Sequence, residues 1–144
     1  MKYLIFLTMF LSSFLLATSC GEDEEVIMET EYDYRAHIHA PSAEDKHVGN
    51  TLEIDIDFES HAEQPVHHIN VRIYNVLDNM EIYNKPDAAH VHATEGKHEF
   101  KDEFVLSNEN GVEAHSDWVL EAKVWGEEGG EGEVIEKVEF HVHP

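Results

Sequence analysis

An unbroken alternation of apolar and acidic residues constrains the fold of this chain more than any other feature. It runs from Leu52 to Glu59, where Leu, Ile or Phe alternates with Glu or Asp at every position. Successive side chains of a β-strand point to opposite faces, so this pattern predicts a strand with one buried and one solvated face. Similar alternation is found over 67–76, 118–125 and 137–143, and weaker candidate strands are 34–40, 81–83, 89–93 and 97–106.

Short segments rich in glycine, proline and asparagine separate these candidate strands, as expected of tight turns. A chain of 144 residues is the size of one domain. About seven strands with one-sided alternation predict an all-β fold, an immunoglobulin-like antiparallel β-sandwich, over residues 32–144. The cysteine pair of true immunoglobulins is missing, so only the architecture carries over. Trp118 is expected to be a core aromatic residue on the penultimate strand.

The N-terminus has the form of a targeting segment. A basic start at Lys2 is followed by an apolar stretch over 3–17, which is too short for a membrane-spanning helix. Small residues and Cys20 come next, which resembles the signal of bacterial lipoproteins, although a plain secretory signal with a stray cysteine is the alternative. The resemblance implies that residues 1–19 are a signal peptide and that Cys20 is the lipidated first residue of the mature protein.

Residues 20–31 begin with the lipidated cysteine and continue as an acidic tether. An acidic run in this position resembles the export tag of surface lipoproteins in Bacteroidota-type bacteria. It implies a protein held in the bacterial outer membrane by an N-terminal lipid anchor and exposed at the cell surface. Membrane contact through this anchor is the one partner interaction that follows, and any envelope protein partner stays unknown.

Charge and cysteine content exclude several classes of function. The chain has 31 Asp and Glu against 9 Lys and Arg, with a formal net charge of −22. Nucleic acid is excluded as a partner, because binding to phosphates needs clustered basic residues. The single cysteine excludes both a disulfide framework and a thiolate-rich metal site within the chain.

Six of the twelve histidines form three His-x-His pairs. Residues i and i+2 of a strand lie on the same face, so both imidazoles of a pair can reach one ion. One pair is explained as well by solvent-facing polar residues, but three pairs in one small domain indicate a metal site. Imidazole ligands without thiolates favour zinc first and copper(II) second. The predicted metal ligands are His37, His39, His90, His92, His141 and His143.

The best site is expected where the first and last strands end. If the first strand pairs in parallel with the last, as in variable-type sandwiches, His37 and His39 lie beside His141 and His143 around one ion. Glu139 could then orient a ring nitrogen. His90 and His92 could complete this site, form another or do neither. Of the unpaired histidines, His68 and His115 are kept as reserve ligands.

The chain as a whole resembles small Bacteroidota-type surface lipoproteins with a His-rich immunoglobulin-like domain. The resemblance rests on the signal, the tether and four segments, 35–41, 89–92, 117–126 and 138–144. The resemblance implies no known activity. Two hypotheses follow for function: a cell-envelope lipoprotein that binds a divalent transition metal, or a structural or adhesive immunoglobulin-like surface module with incidental histidines. An enzyme is not expected, because the chain lacks a nucleophile elbow, a phosphate-binding glycine loop and a helical His-Glu-x-x-His motif.

Overall fold

The computed structural model describes residues 31–87, 89–91, 96–127 and 129–144. They form a short 3₁₀ helix, Asn108–Asn110, and eight strands: β1 Tyr34–Ala40, β2 Lys46–His47, β3 Thr51–Ser60, β4 His68–Asn75, β5 Glu81–Lys85, β6 Lys97–Val105, β7 Ser116–Trp125 and β8 Val134–His143.

The strands make two sheets, one with the order β1-β3-β6 and one with the order β2-β8-β7-β4-β5. Neighbouring strands are antiparallel, except that β2 pairs in parallel with β8. This architecture confirms the predicted all-β, immunoglobulin-like sandwich.

The core lies between the sheets and follows the alternation in the sequence. The apolar residues of β3 are at most 2% exposed, and the acidic residues that alternate with them lie on the outer face. Trp118 on β7, the penultimate strand, is 1% exposed, as the sequence predicted. Burial of apolar surface contributes roughly 25 cal/mol per Å² to the free energy of folding. The facing apolar rows of the two sheets therefore supply most of the favourable free energy of packing the sheets together.

Two details of the strand assignment differ from the prediction. Strand β2 was missed, since two residues carry no measurable period. The segment 89–93 was expected to be a strand, but its described part, residues 89–91, makes only an isolated bridge between His90 and His68.

One open edge of the sandwich is closed by a hydrogen bond between the two sheets. The hydroxyl of Tyr83 on β5 donates to Asp102 Oδ2 on β6 at 2.7 Å. The ring of Tyr83 also packs edge-on against Phe104, with 5.7 Å between ring centroids. Burial, and then the Asp102 carboxylate, raise the pKa of Tyr83, so the hydroxyl stays a donor.

A buried carboxylate on the outer face of the larger sheet departs from the simple alternation. Glu121 is 3% exposed because Arg72 and Lys137 cover it from the neighbouring strands. Arg72 Nε donates to Glu121 Oε1 at 2.8 Å, and Lys137 Nζ lies 3.0 Å from Glu121 Oε2. Burial raises the pKa of Glu121, but the hydrogen bonds from Arg72 and Lys137 outweigh it and hold this pKa below its usual value.

We expect Glu121→Gln to destabilise the protein at pH 7 by about 1–2 kcal/mol, because charge-assisted hydrogen bonds are lost while both partly exposed cations can regain water. A carboxyl with a lowered folded-state pKa stabilises above its ordinary value of 4.5, and this stabilisation disappears as pH falls through the folded-state pKa. Urea unfolding at pH 7 and at about pH 3.5 should therefore show a difference that shrinks in acid. Glu53→Gln, at an exposed position on β3, is the control and should have no such effect.

None of the described residues belongs to a helix that could span a membrane. The predicted signal peptide, 1–19, and Cys20 lie outside the described residues, and so does the tether up to residue 30. Cleavage and lipidation therefore stay predictions.

Candidate metal centre

Three histidines converge at the end of the larger sheet. His115, His141 and His143 each offer a ring nitrogen, and these atoms all lie within 4.8 Å of one another. The ring centroids are 4.6 Å apart for His141 and His143, and 6.2 Å from His115 to each of the other two. Small side-chain rotations would bring three nitrogens to the separation of about 3.3 Å that a tetrahedral zinc ion with bonds of 2.0–2.1 Å requires.

The alternation of β8 presents two of these rings. Val142 is fully buried, so His141 and His143 on either side of it point to the outer face. His115 comes directly before β7, and its backbone N–H donates to the carbonyl of Val142 at 2.7 Å. His115 has a φ of 60°, a left-handed conformation that His adopts more readily than most residues and that turns its ring back over β8. Such backbone strain at a residue with ligand chemistry is typical of functional sites.

Carboxylates orient two of the three rings. His141 Nδ1 donates to Asp117 Oδ1 at 2.6 Å, which leaves Nε2 of the neutral ring as the metal-ligand atom. His143 Nε2 lies 3.2 Å from Asp45 Oδ2. A carboxylate on the far nitrogen fixes the tautomer and increases the basicity of a ligating imidazole, as in many metal sites. Glu139 was predicted for this role, but Asp117, opposite His141 on β7, fills it for that ring.

A fourth histidine borders the cluster. His47 on β2 is the register partner of His143, and their ring centroids are 5.7 Å apart. Its Nδ1 donates to the backbone oxygen of Pro144 at 2.9 Å, so Nε2 of the neutral ring is available. The arrangement allows a divalent transition metal to be held by three imidazoles, with His47 or a water at a further position.

The predicted partnership of the two terminal His-x-His pairs is wrong. β1 carries His37 and His39 in the smaller sheet, where it pairs with β3, whereas β8 lies in the larger sheet. His39 Nε2 instead lies 3.2 Å from Asp57 Oδ2 on β3. The parallel partner of β8 is β2, because the chain crosses between the sheets after β1 ends at Ala40. His47 therefore occupies the neighbourhood that the prediction gave to His39.

The remaining predicted ligands lie elsewhere. His90 is bridged to His68, the register partner of Trp125 at the opposite end of β7, and His92 lies outside the described residues. His115, a reserve ligand in the sequence analysis, is the third member of the cluster. Its only signal in the sequence was a histidine placed directly before a strong strand pattern.

Comparisons with known proteins bear on the fold. The fold is similar to that of the CARDB domain of the PF1109 protein from Pyrococcus furiosus, whose crystal structure is a complex with di-metal ions. The TM-score is 0.51 at 13% sequence identity, and the match covers 80% of this chain and 96% of that one. The solution structure of the same domain is 11% identical with a TM-score of 0.52, covering 80% and 98%. Murine CRIg matches with a TM-score of 0.40 at 10% sequence identity, over 76% of this chain and 99% of that one. This similarity is too low to support an argument about the fold.

These likenesses show the fold alone. No protein-family model matches the chain, and no curated protein matches it.

Proposed function

We propose that this protein is a cell-envelope lipoprotein that binds a divalent transition metal through imidazoles on the outer face of its larger sheet. The observation that carries the proposal is the convergence of His115, His141 and His143, whose ligand atoms lie within 4.8 Å of one another. The carboxylates of Asp117 and Asp45 beside two of these rings support it, because they match the outer partners of ligating histidines.

Zinc is the first candidate and copper(II) the second. Both accept imidazole nitrogens, whereas the lack of thiolates disfavours copper(I). A net charge of −22 would raise the concentration of any divalent cation near the surface. A CARDB domain of similar fold was crystallised in complex with di-metal ions, so metal binding has a precedent on such a sandwich.

We propose binding rather than catalysis at this site. His115 is exposed, and His141 and His143 are half-buried on the outer face of a sheet, where water has free access. A hydrolytic zinc site needs a substrate cleft beside the metal, and an open sheet face offers little enclosure.

The proposal is tested by titrating the purified protein, without an affinity tag, with zinc and with copper(II) in a calorimeter. Saturable binding of at least one equivalent, reversed by a chelator, is the expected result. A protein that takes up neither metal would instead fit the alternative, a structural or adhesive surface module with incidental histidines.

Anchoring at the outer membrane is the second part of the proposal and rests on the small residues before Cys20. We expect Cys20→Ala to move the protein from the membrane fraction to the soluble fraction of cells, since the lipid chains would supply most of the membrane affinity. Metabolic labelling with a fatty acid should mark the wild-type protein and leave the variant unlabelled. Ser19→Ala, which keeps both a small residue and the cysteine, is the control, and continued membrane retention of Cys20→Ala would overturn the anchor.

A further inference from the structure

A second histidine cluster lies at the other end of the larger sheet. The ring centroid of His90 is 5.2 Å from those of both His67 and His68, and the rings of His67 and His68 are 6.1 Å apart. Two imidazoles that share one tetrahedral zinc ion have ring centres about 5 Å apart, given metal–nitrogen bonds of 2.0–2.1 Å. His90 therefore has the ring spacing of a shared ligand with both His67 and His68, whereas the rings of His67 and His68 are farther apart than that.

The backbone holds two of these rings opposite each other. His68 and His90 form an antiparallel bridge, flanked by the hydrogen bonds from Ile69 N to Ala89 O at 2.9 Å and from Val91 N to His67 O at 2.7 Å. This is the non-hydrogen-bonded type of pair, in which facing side chains come closest. Val91 packs on the core and keeps the segment in place.

The ring of His68 is oriented for ligation. It stacks on Trp125 with 5.4 Å between centroids and 15° between planes. Its Nδ1 lies 2.5 Å from the carbonyl oxygen of Gly126, and a carbonyl can only accept, so Nδ1 carries the proton. The neutral ring then has its lone pair on Nε2, the nitrogen that faces away from this carbonyl.

The two clusters are far apart. His68 is the register partner of Trp125 at the end of β7, whereas His141 is the partner of Asp117 at its beginning. The eight residue steps from Asp117 to Trp125 span about 26 Å at about 3.3 Å per residue. One ion cannot be shared over this distance, so the clusters are separate sites.

We propose that His67, His68 and His90 form a second divalent-metal site, independent of the first, which binds copper(II) more tightly than zinc, as imidazole sites generally do. This inference deepens the proposed function and rests on it for the type of metal. The ligand atoms of this second site lie farther from one another than those of the first cluster. Among the described residues, only His115, His141 and His143 bring three ligand atoms within 4.8 Å of one another. The second site is therefore the weaker one and closes by rotation of the exposed rings of His67 and His90.

Copper(II) titration of the purified protein tests this site with two double variants, His115→Ala/His141→Ala and His68→Ala/His90→Ala. Wild type should bind two ions and each double variant one. Pulsed dipolar EPR of the copper-loaded wild type should give an ion–ion distance of about 26 Å, which disappears in both variants. In the His115→Ala/His141→Ala variant, copper(II) should still quench the fluorescence of Trp125, and Trp125→Phe in that background should remove the quenching.

The outcomes separate the two proposals. Binding of one ion by wild type and none by His115→Ala/His141→Ala would overturn the second site and leave the first intact. Retention of two ions by His68→Ala/His90→Ala would also overturn it. If the His68→Ala/His90→Ala variant unfolds, the single variant His90→Ala replaces it, since His90 is exposed and lies outside the strands. It should still reduce the affinity of the second binding event at least tenfold.

Discussion

Replacing His141 by alanine should weaken metal binding at the first cluster about 100-fold or more. His141 has the shortest ring separation, 4.6 Å to His143, and its Nδ1 is held by Asp117. Loss of an outer partner of a ligand alone costs 10–100-fold in affinity, so loss of the ligand itself should cost at least as much. Calorimetric titration with zinc, analysed for the tighter binding event, measures the effect.

His37→Ala and His61→Ala are the matched controls. His37 belongs to β1 in the other sheet, and His61 is exposed beside Glu59, with 3.3 Å between His61 Nε2 and Glu59 Oε2. Both variants should bind zinc as the wild type does. A variant at His37 that loses the tight event, together with a His141 variant that keeps it, would contradict the cluster.

Trp118→Ala should remove about 3–5 kcal/mol from the free energy of unfolding, because truncating a fully packed aromatic residue leaves a large cavity. Trp118 is 1% exposed, and a domain of this kind has only about 5–15 kcal/mol in total. Its Nε1–H also donates to Ser116 Oγ at 2.7 Å, and Ser116 in turn donates to the carbonyl of Glu113. Since Ser116 follows His115, the same substitution should loosen the backbone that carries a metal ligand.

Urea unfolding followed by circular dichroism measures this loss. Val105→Ala, at a position 45% exposed, is the control and should change stability by less than about 0.5 kcal/mol. Trp118→Phe should lie between the two, because it keeps most of the apolar volume and loses the hydrogen bond to Ser116. A Trp118→Ala variant as stable as the control would contradict the central place given to this residue in the core.

The strands and their inward faces could be predicted from the sequence because alternation is a local property. Within one strand, backbone geometry alone puts residues i and i+2 on the same side, so the buried row of β3 and the outward pair His141 and His143 follow from the order of residues. The placement of Trp118 in the core was predictable for the same reason.

The burial of Glu121 on the outer face could not be predicted from the sequence. The alternation along 118–125 puts Glu121 on the face opposite to Trp118, and it does lie on the outer face of β7. Arg72 and Lys137 from the two neighbouring strands nevertheless cover it, with Arg72 Nε 2.8 Å from its carboxylate. No local pattern carries this information, because the covering side chains come from other strands, β4 and β8.

Which histidines come together depends on the packing of the two sheets. Strand pairing depends on how both sheets bury their apolar faces together, and the two-residue strand β2, too short to have a period, is the one that crosses to pair with β8. This puts His47 next to His143 and leaves His37 and His39 on the opposite sheet. His115 joins the cluster through a left-handed backbone conformation and a hydrogen bond to Val142. Contacts between distant segments thus determine which histidines can share an ion, whereas the geometry within each strand determines the face on which each histidine lies.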